Sequence, residues 1–245
     1  ILLQIFSVSL VIYITGLYVD NLGNLFGTGD IILGKYIGIP LTIFMVVGVC
    51  NAFNMFDGMD GLITMVSIVS VTSVCILTLL LQKGVVLSLV PTLILFVFLL
   101  FNLGFFGKSL KMFLGDGGSL FLGFLLVWLL VILSQDDIAI FKPVVALWLV
   151  PLPIIDTLTT SIIRIIKGKN IMKPDRNHIH YLILDSGNSK WKTLIFLLSL
   201  SIICAIIAIF SVIHSIPEYY IFYAFIIFWL FYSILLIYSM RDKNK

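Results

Sequence analysis

Residues 62–82 read LITMVSIVSVTSVCILTLLLQ, and this stretch contains no charged side chain. The hydrocarbon core of a bilayer is about 30 Å thick, so an α-helix needs about 20 mostly apolar residues to cross it. The stretch therefore predicts a transmembrane helix. Seven similar runs, of which Ser119–Ser134 is short, bring the prediction to eight: Ile1–Val19, Tyr36–Phe56, Leu62–Gln82, Val85–Phe106, Ser119–Ser134, Val144–Ile166, Thr193–His214 and Tyr219–Tyr238.

The composition of the whole chain agrees with this interpretation. Of 245 residues, 61% are hydrophobic and 11% are charged, whereas a soluble domain carries about 25% charged residues. We therefore expect an all-α polytopic membrane protein with about eight transmembrane helices, forming a single domain over residues 1–245. The composition excludes disorder, collagen, a coiled coil and a disulfide scaffold. The net charge of +3 does not indicate a nucleic-acid partner.

The basic residues are distributed unequally between the two sets of predicted loops. Loops 20–35, 135–143 and 215–218, with the turn after the third helix, carry only Lys35, Lys83 and Lys142. Cytoplasmic loops are rich in Lys and Arg, so we expect loops 57–61, 107–118 and 167–192 to face the cytoplasm. These loops and the neighbouring helix ends hold Lys108, Lys111, Arg164, Lys167, Lys169, Lys173, Arg176, Lys190, Lys192, Arg241, Lys243 and Lys245.

Polar side chains first concentrate between the second and third predicted helices, in the sequence NAFNMFDGMDGL over residues 51–62. If the helix continues to Asp57, then Asn51, Asn54 and Asp57 share one face because they are three residues apart. Asp57 and Asp60 would then meet a common ligand, such as a cation or sugar hydroxyls. The alternative is that the two carboxylates cap the following helix, where they favour the positive end of its dipole.

A second cluster contains Asn102, Lys108, Lys111 and the sequence GDGGS over residues 115–119. Glycines allow the backbone to approach a phosphate, and the next helix offers its N-terminal amides to the same anion. Asp116 could supply an oxygen ligand to Mg²⁺, which usually takes one or two carboxylates together with phosphate oxygens. The alternative for Lys108 and Lys111 is that they only anchor the helix ends on the cytoplasmic side.

A third cluster is the sequence KPDRNHIHY over residues 173–181, in the most basic loop. Arg176 could grip phosphate, and His178 and His180 could bind phosphate or carry protons near neutral pH. The alternative is a solvated loop that faces lipid headgroups. With two acidic clusters on the same face, the combination favours a site for a polyanionic substrate.

Asp156 is an ionisable residue within the sixth predicted helix, after Pro151 and Pro153. A carboxylate at this depth is costly unless it has a partner. We expect it to have a structural or supporting role, by bonding a kinked backbone or a positive residue from a neighbouring helix.

Together the three motifs resemble those of a known enzyme family. NAFNMFDGMDGL resembles NAxNxxDGxDGL, KMFLGDGGS resembles K-x-F-M-G-D-x-G-S, and PDRNHIHY resembles PDRxHIHH. These are motifs of the bacterial polyprenyl-phosphate N-acetylhexosamine-1-phosphate transferases. The last of them is typical of the WecA-type branch, which uses undecaprenyl phosphate and UDP-N-acetylglucosamine.

The resemblance implies a Mg²⁺-dependent transferase, with Mn²⁺ as an alternative ion, in the bacterial inner membrane with its active site towards the cytoplasm. It would make undecaprenyl-pyrophosphoryl-N-acetylglucosamine and UMP, and so begin the synthesis of a surface polysaccharide such as O-antigen. Its partners would be the UDP-sugar, the polyprenyl phosphate and the bilayer, with homo-oligomerisation left open. The implied roles are catalysis by Asp57, Asp60 and His178, metal binding by Asp116, and substrate binding by Asn51, Asn54, Asn102, Lys111, Arg176 and His180.

Two departures from the family pattern qualify this expectation. The family has an Asp-Asp pair in an earlier cytoplasmic loop, whereas the pair here, Asp136-Asp137, belongs to an outer loop by the charge distribution. Tyr181 also stands where the signature ends in His. Members of the WecA-type branch also have about three more spans upstream, and with the missing Asp-Asp pair this leads us to expect that the chain is the C-terminal portion of a longer family domain. A non-catalytic remnant of the family stays an alternative, and an ion or solute transporter is a less favoured one.

Overall fold

The computed structural model describes residues 1–83, 86–135, 139–168, 170 and 176–242, and its regular elements there are helices. One isolated antiparallel bridge, between Asn21 and Ile32, lies in the segment that joins the first two helices. A short 3₁₀ helix occupies Lys108–Leu110. The α-helices are α1 (Leu2–Thr15), α2 (Gly34–Phe56), α3 (Leu62–Leu80), α4 (Val86–Asn102), α5 (Gly115–Gln135), α6 (Pro143–Leu149), α7 (Pro151–Ile166), α8 (Ile179–Asp185), α9 (Lys190–Ile213) and α10 (Glu218–Asp242).

Helices of this length and composition confirm the predicted class of all-α polytopic membrane protein. Five of them, α2, α3, α5, α9 and α10, are long and apolar enough to cross a bilayer, and α6 with α7 would make a sixth crossing if counted as one. The helices α1 and α4 are apolar but shorter. In the part of the chain that the structure describes, the count of full-length spans is therefore five or six, below the predicted eight.

The sixth predicted span, Val144–Ile166, is not one helix. It consists of α6 and α7, which meet at an angle of 87°. Val150 leaves the helical conformation, with φ −130° and ψ 45°, and Pro151 begins the next helix. Proline has no N–H to continue the hydrogen bonds of α6, and its ring disfavours a helical residue before it. The break places Asp156 in the second turn of α7.

Helix α2 packs against α1, α5 and α7, and α3, the most buried of the long apolar helices, packs against α4 and α9. Helices α2 and α5 approach each other closely at Gly123. A Cβ at this glycine would lie 3.0 Å from the Cα of Cys50 and 3.1 Å from the Cβ of Phe53. Small residues let membrane helices approach closely where apolar burial gives little driving force between them.

The loops gather at the two ends of the bundle as the charge distribution predicts. At one end, Gln135 accepts hydrogen bonds from the backbone of Asp20 and Asn21, and Glu218 accepts one from the backbone of Asn24. A cavity of about 560 Å³ lies at this end, lined in part by Lys142 and Glu218. The other end, called here the motif end, contains residues 54–61, 102–119 and 176–185.

Candidate active site

The loop between α2 and α3 is a tight turn over residues 57–61. Helix α2 ends at Phe56 and Asp57 is its C-cap residue, with φ −78° and ψ 54°. Gly61 precedes α3 with φ +81°, a conformation that side chains with a Cβ disfavour. No side chain caps α3, so the alternative interpretation of Asp57 and Asp60 as caps of that helix is wrong. Neither carboxylate is hydrogen-bonded to the first amides of α3.

The two asparagines of the first motif bond to different helices. Asn51 donates to Gln4 Oε1 of α1 at 3.1 Å and to the Val47 carbonyl. Asn54 donates to Ser119 Oγ of α5 at 2.9 Å. Helix α2 ends at Phe56, so the condition under which Asn51, Asn54 and Asp57 would share one helical face is not met. Asn54 therefore contacts the second motif through Ser119, whereas Asn51 contacts Gln4 and Val47.

Asn102 joins the first motif to the second. Its Oδ1 accepts from the backbone N–H of Gly61 at 2.6 Å, and its Nδ2 donates to the carbonyl of Met112 at 2.8 Å. The side chain is 5% exposed. Its amide is therefore used to hold two loops together, and substrate binding by Asn102 stays a prediction.

Lys111 forms the second link between these loops. Its Nζ lies 2.7 Å from Asp60 Oδ2, and both side chains are partly exposed. The ammonium group also lies 4.8 Å from the centre of the Phe113 ring. An exposed ion pair contributes little to stability. The more important consequence is that the Lys111 ammonium group is held beside the turn of residues 57–61, called here the acidic turn. The membrane-anchor alternative does not account for this pairing.

Asp57, at the C-terminal end of α2, and Asp116, at the start of α5, are near enough for their charges to interact. Helix α5 begins at Gly115, four residues before the predicted Ser119, so Asp116 lies in its first turn. Burial, followed by the negative charges of Asp60 and Asp116, raises the pKa of Asp57 to about 6. A buried carboxylate with other negative charges nearby lies in a site that favours an added cation.

The residues that could hold a metal are Asp57 and Asp116, since Asp60 is already paired with Lys111. Within the described ranges, no group of three His, Cys, Asp or Glu side chains is placed to hold an ion. This donor set suits a cation that takes one or two carboxylates and completes its shell with substrate oxygens and water, as Mg²⁺ does. It does not suit a structural zinc site, which takes four protein ligands.

His180 brings the third motif against the first. Its side chain is fully buried, and its Nε2 lies so close to Gly58 that a Cβ at that position would be 1.9 Å away. Neither ring nitrogen has a hydrogen-bond partner. Burial lowers the pKa of His180 to about 4. At neutral pH the ring is therefore uncharged, and its interaction with a phosphate would not be that of a cation.

His178 lies behind His180, with the two rings stacked at 6.0 Å between centres. Its Nδ1 is 2.6 Å from Asp156 Oδ2. The sequence predicted a structural or supporting role for Asp156, with a kinked backbone or a positive residue of a neighbouring helix as its partner. The structure gives it His178, which is 22 residues away along the chain, and the backbone N–H of Ile179. The one signal in the sequence was an ionisable residue inside an apolar run.

Arg176 is at the rim of the motif end rather than against the acidic turn. Its guanidinium lies 3.1 Å from Asp185 and 5.1 Å from the ring centre of Tyr181. Tyr181, which replaces the last His of the family signature, thus stacks on both Arg176 and His180. The remaining residues of this motif, 173–175, and the outer pair Asp136-Asp137 lie outside the described residues.

Comparison with protein families bears on this arrangement directly. The model of the family described as glycosyl transferase family 4 matches residues 1–134, which is more than half of the chain. The protein belongs to this family. The match includes the first two motifs, with Asn54, Asp57, Asp60, Lys111 and Asp116, and it ends before the third.

Curated relatives extend the family similarity over the third motif. Each of three is named undecaprenyl-phosphate α-N-acetylglucosaminyl 1-phosphate transferase. The protein of Yersinia pestis is 34% identical over 216 residues, which is 84% of this chain and 57% of the relative. That of Haemophilus influenzae is 32% identical over 95% of this chain and 66% of its own length. That of Escherichia coli K12 is 32% identical over 92% of this chain and 62% of its own.

The chain therefore spans less than two thirds of the length of these relatives. The family membership and the helical membrane architecture hold for the chain itself. The reaction of the whole protein is the subject of the following proposal.

Proposed function

We propose that this protein transfers N-acetylglucosamine 1-phosphate from UDP-N-acetylglucosamine to undecaprenyl phosphate. The observation that carries the proposal is the junction of Asp57, Asp60, Asp116 and Lys111 at one end of an apolar bundle. A polar site at the end of membrane helices suits a reaction between a water-soluble nucleotide and a lipid-bound phosphate. The names of the relatives supply undecaprenyl phosphate and the N-acetylglucosaminyl 1-phosphate group, and UDP as the carrier of that group comes from the resemblance of the motifs.

The reaction joins two anions, so charge neutralisation and in-line positioning are the main tasks of the protein. An oxygen of the lipid phosphate forms a bond to the β-phosphorus of the UDP-sugar. The bond from that phosphorus to the oxygen bridging it to the α-phosphate breaks, and the electron pair leaves with UMP. The products are UMP and a lipid-linked pyrophosphoryl sugar.

The residues at the motif end have properties that suit these tasks. Lys111 is the cation nearest the acidic turn, held by Asp60, and would bind a phosphate oxygen of the nucleotide. The first turn of α5 offers backbone N–H groups to an anion. Arg176, at the rim, would meet a phosphate as it enters. Asn54 and Ser119 hold α2 and α5 in register beneath them.

The carboxylates fit Mg²⁺, and Asp116 with Asp57 would hold it. When bound, the ion would neutralise phosphate charge and stabilise the charge that develops on the transferred group. Mn²⁺ has the same preference for oxygen ligands. The raised pKa of Asp57 supports this assignment, because a cation placed between Asp57 and Asp116 would relieve their repulsion.

We place the motif end at the cytoplasmic side of the bacterial inner membrane. The support is the excess of Lys and Arg in the loops that gather there. The lipid tail would lie along exposed apolar residues of the helices near this end, such as Phe121 and Leu125 of α5. The sugar nucleotide would reach the same site from the water phase.

The test is transfer of radiolabel from UDP-N-acetylglucosamine to undecaprenyl phosphate in membranes, with Mg²⁺ or with EDTA. The chain as printed and the longest reading frame that contains it are assayed in parallel. Labelled lipid that depends on Mg²⁺ supports the proposal. Absence of label from both forms, with the protein inserted and folded, contradicts it and favours the non-catalytic alternative.

A further inference from the structure

A buried polar seam joins α7 to α10 within the bundle. Asp156 is fully buried, and its Oδ1 accepts hydrogen bonds from the Tyr232 hydroxyl at 2.7 Å and from the Ile179 backbone N–H at 3.0 Å. Three residues further along α7, Thr159 lies 2.8 Å from Ser233 and accepts from Trp229 Nε1 at 3.0 Å. Hydrogen bonds of this kind hold membrane helices together.

The Asp156 carboxylate also determines the state of His178. A carboxylate only accepts hydrogen bonds, so the 2.6 Å contact means that His178 Nδ1 carries the proton and donates it to Oδ2. The hydrogen bond at one ring nitrogen sets which nitrogen is left for a ligand. Nε2 is therefore the atom of His178 that is available to a substrate. Among the described residues, the ionisable groups in contact with this ring are Asp156 from α7 and His180 from α8, and Tyr232 from α10 contacts the Asp156 carboxylate.

We infer that Asp156, held by Tyr232 of the last helix, is a positioning residue that fixes His178 in the Nδ1–H form so that Nε2 meets the phosphate groups at the motif end. The inference rests on the proposed function, in which His178 belongs to the site. It adds residues of α7 and α10, which lie beyond the 1–134 segment that the family model matches.

Asp156 has a second, purely structural task that an experiment needs to separate. Its bond to the Ile179 N–H satisfies one of the unpaired amides at the start of α8, for which His178 is the N-cap residue. Asp156→Asn separates the two tasks. The amide oxygen still accepts from Ile179 and Tyr232, whereas the NH₂ group is now a donor and faces His178 Nδ1. That nitrogen then has to accept, and the ring proton moves to Nε2.

The first measurement is independent of activity. The chain has three histidines, so ¹⁵N-histidine labelling of the full chain in lipid nanodiscs gives few imidazole signals, and His178→Gln assigns those of His178. At a pH where the ring is neutral, we expect Nδ1–H in the wild type and Nε2–H in Asp156→Asn. The same tautomer in both proteins overturns the inference, whether or not the protein is a transferase.

The second measurement uses turnover in the transfer assay. We expect Asp156→Asn to lose on the order of tenfold or more in kcat, with a small change in KM for the nucleotide. On a His178→Gln background the same substitution is expected to cost nothing further, because the residue acts through that ring. An equal loss on both backgrounds overturns the inference. Tyr232→Phe, which removes one of the bonds that hold Asp156, is expected to show a smaller loss in the same direction.

Thr159→Val is the matched control for damage to the seam. It removes the hydroxyl that bonds Ser233 and Trp229, on the same helix pair, without touching His178. We expect it to leave kcat within about twofold of the wild type. Loss of kcat equal to that of Asp156→Asn would mean that only the packing of α7 on α10 matters, which overturns the inference. Wild-type protein without any transfer contradicts the proposed function and leaves the tautomer measurement to decide the inference alone.

Discussion

The carboxylate group of the α2–α3 turn and the single carboxylate Asp156 of α7 are built in opposite ways. In the turn between α2 and α3, Asp57 is pushed towards a higher pKa by burial and by Asp60 and Asp116, and it has few donors around it. In α7, Asp156 is more deeply buried, yet it has three donors, from His178, Ile179 and Tyr232. The first group has unused acceptors and excess negative charge, whereas the second is already satisfied.

This difference indicates different roles. A cluster with excess negative charge favours a cation and changes most when that cation binds. A carboxylate that already accepts three hydrogen bonds has little left to offer a ligand, and it fixes the groups that it contacts. We therefore assign ligand binding to the turn and positioning to α7. The predictions below test that assignment.

The largest expected effect concerns Asp116. Asp116→Asn keeps the side-chain volume but removes the negative charge that would hold Mg²⁺. In the transfer assay of the proposed function, we expect activity to fall below detection. Asp30→Asn, at the opposite end, is the control and should keep full activity. Near-normal Mg²⁺-dependent activity in Asp116→Asn would refute the assigned metal role.

The next effect tests the contact between His180 and the turn that joins α2 to α3. A Cβ at Gly58 would lie 1.9 Å from His180 Nε2, whereas a Cβ at Gly48 in α2 would meet nothing within 4 Å. Gly58 does not have positive φ, so the effect of alanine there is steric. Gly58→Ala should destabilise the protein by about 1–3 kcal/mol, seen as a lower thermal midpoint in detergent at a fixed heating rate. Equal midpoints for Gly58→Ala and Gly48→Ala would show that this contact does not constrain the fold.

Lys111 tests whether the acidic turn uses its cation for substrate. Lys111→Met removes the charge held by Asp60 and should raise KM for the UDP-sugar about tenfold, because a charge-assisted bond to phosphate is lost. The thermal midpoint should hardly change, since the ion pair is partly exposed. Lys108→Met, in the adjacent 3₁₀ helix, is the control. If both substitutions change KM equally, the loop acts by its overall charge and Lys111 has no special role.

The smallest effect is the pH dependence of stability that arises from His180. Its pKa is about 4 in the folded protein, against 6.5 normally. Between these values the unfolded chain binds the proton and the folded protein does not, so stability falls as the pH is lowered. From about pH 7.5 to about pH 5.5 the loss should be about 1 kcal/mol.

Thermal midpoints at the two pH values measure this loss for the wild type and for two variants. His180→Asn should reduce the difference between the two midpoints. His214→Asn, at the exposed C-cap of α9, should leave it unchanged. A full wild-type difference in His180→Asn would mean that another group titrates in this range.

The sequence alone determined the class of fold, the approximate ends of most helices and the grouping of the loops. Apolar runs and the solvation of Lys and Arg are local properties, and they need no knowledge of which helices touch. The first residue of α3, Leu62, was predicted correctly for this reason. The family motifs, and with them Asp57, Lys111 and Asp116, were also visible in the printed sequence.

Only the tertiary structure decided which polar groups are partners. The bond between Asp156 and His178, the approach of His180 to Gly58 and the use of Asn102 as a brace all join residues that are far apart in sequence. The 87° break at Val150 is another such result, because the prolines mark a break but leave its angle open. In an apolar chain, hydrophobic residues occur on all sides of a helix, so their periodicity does not show which face is buried. That face is decided by close packing and by the few buried polar groups, which need hydrogen-bond partners.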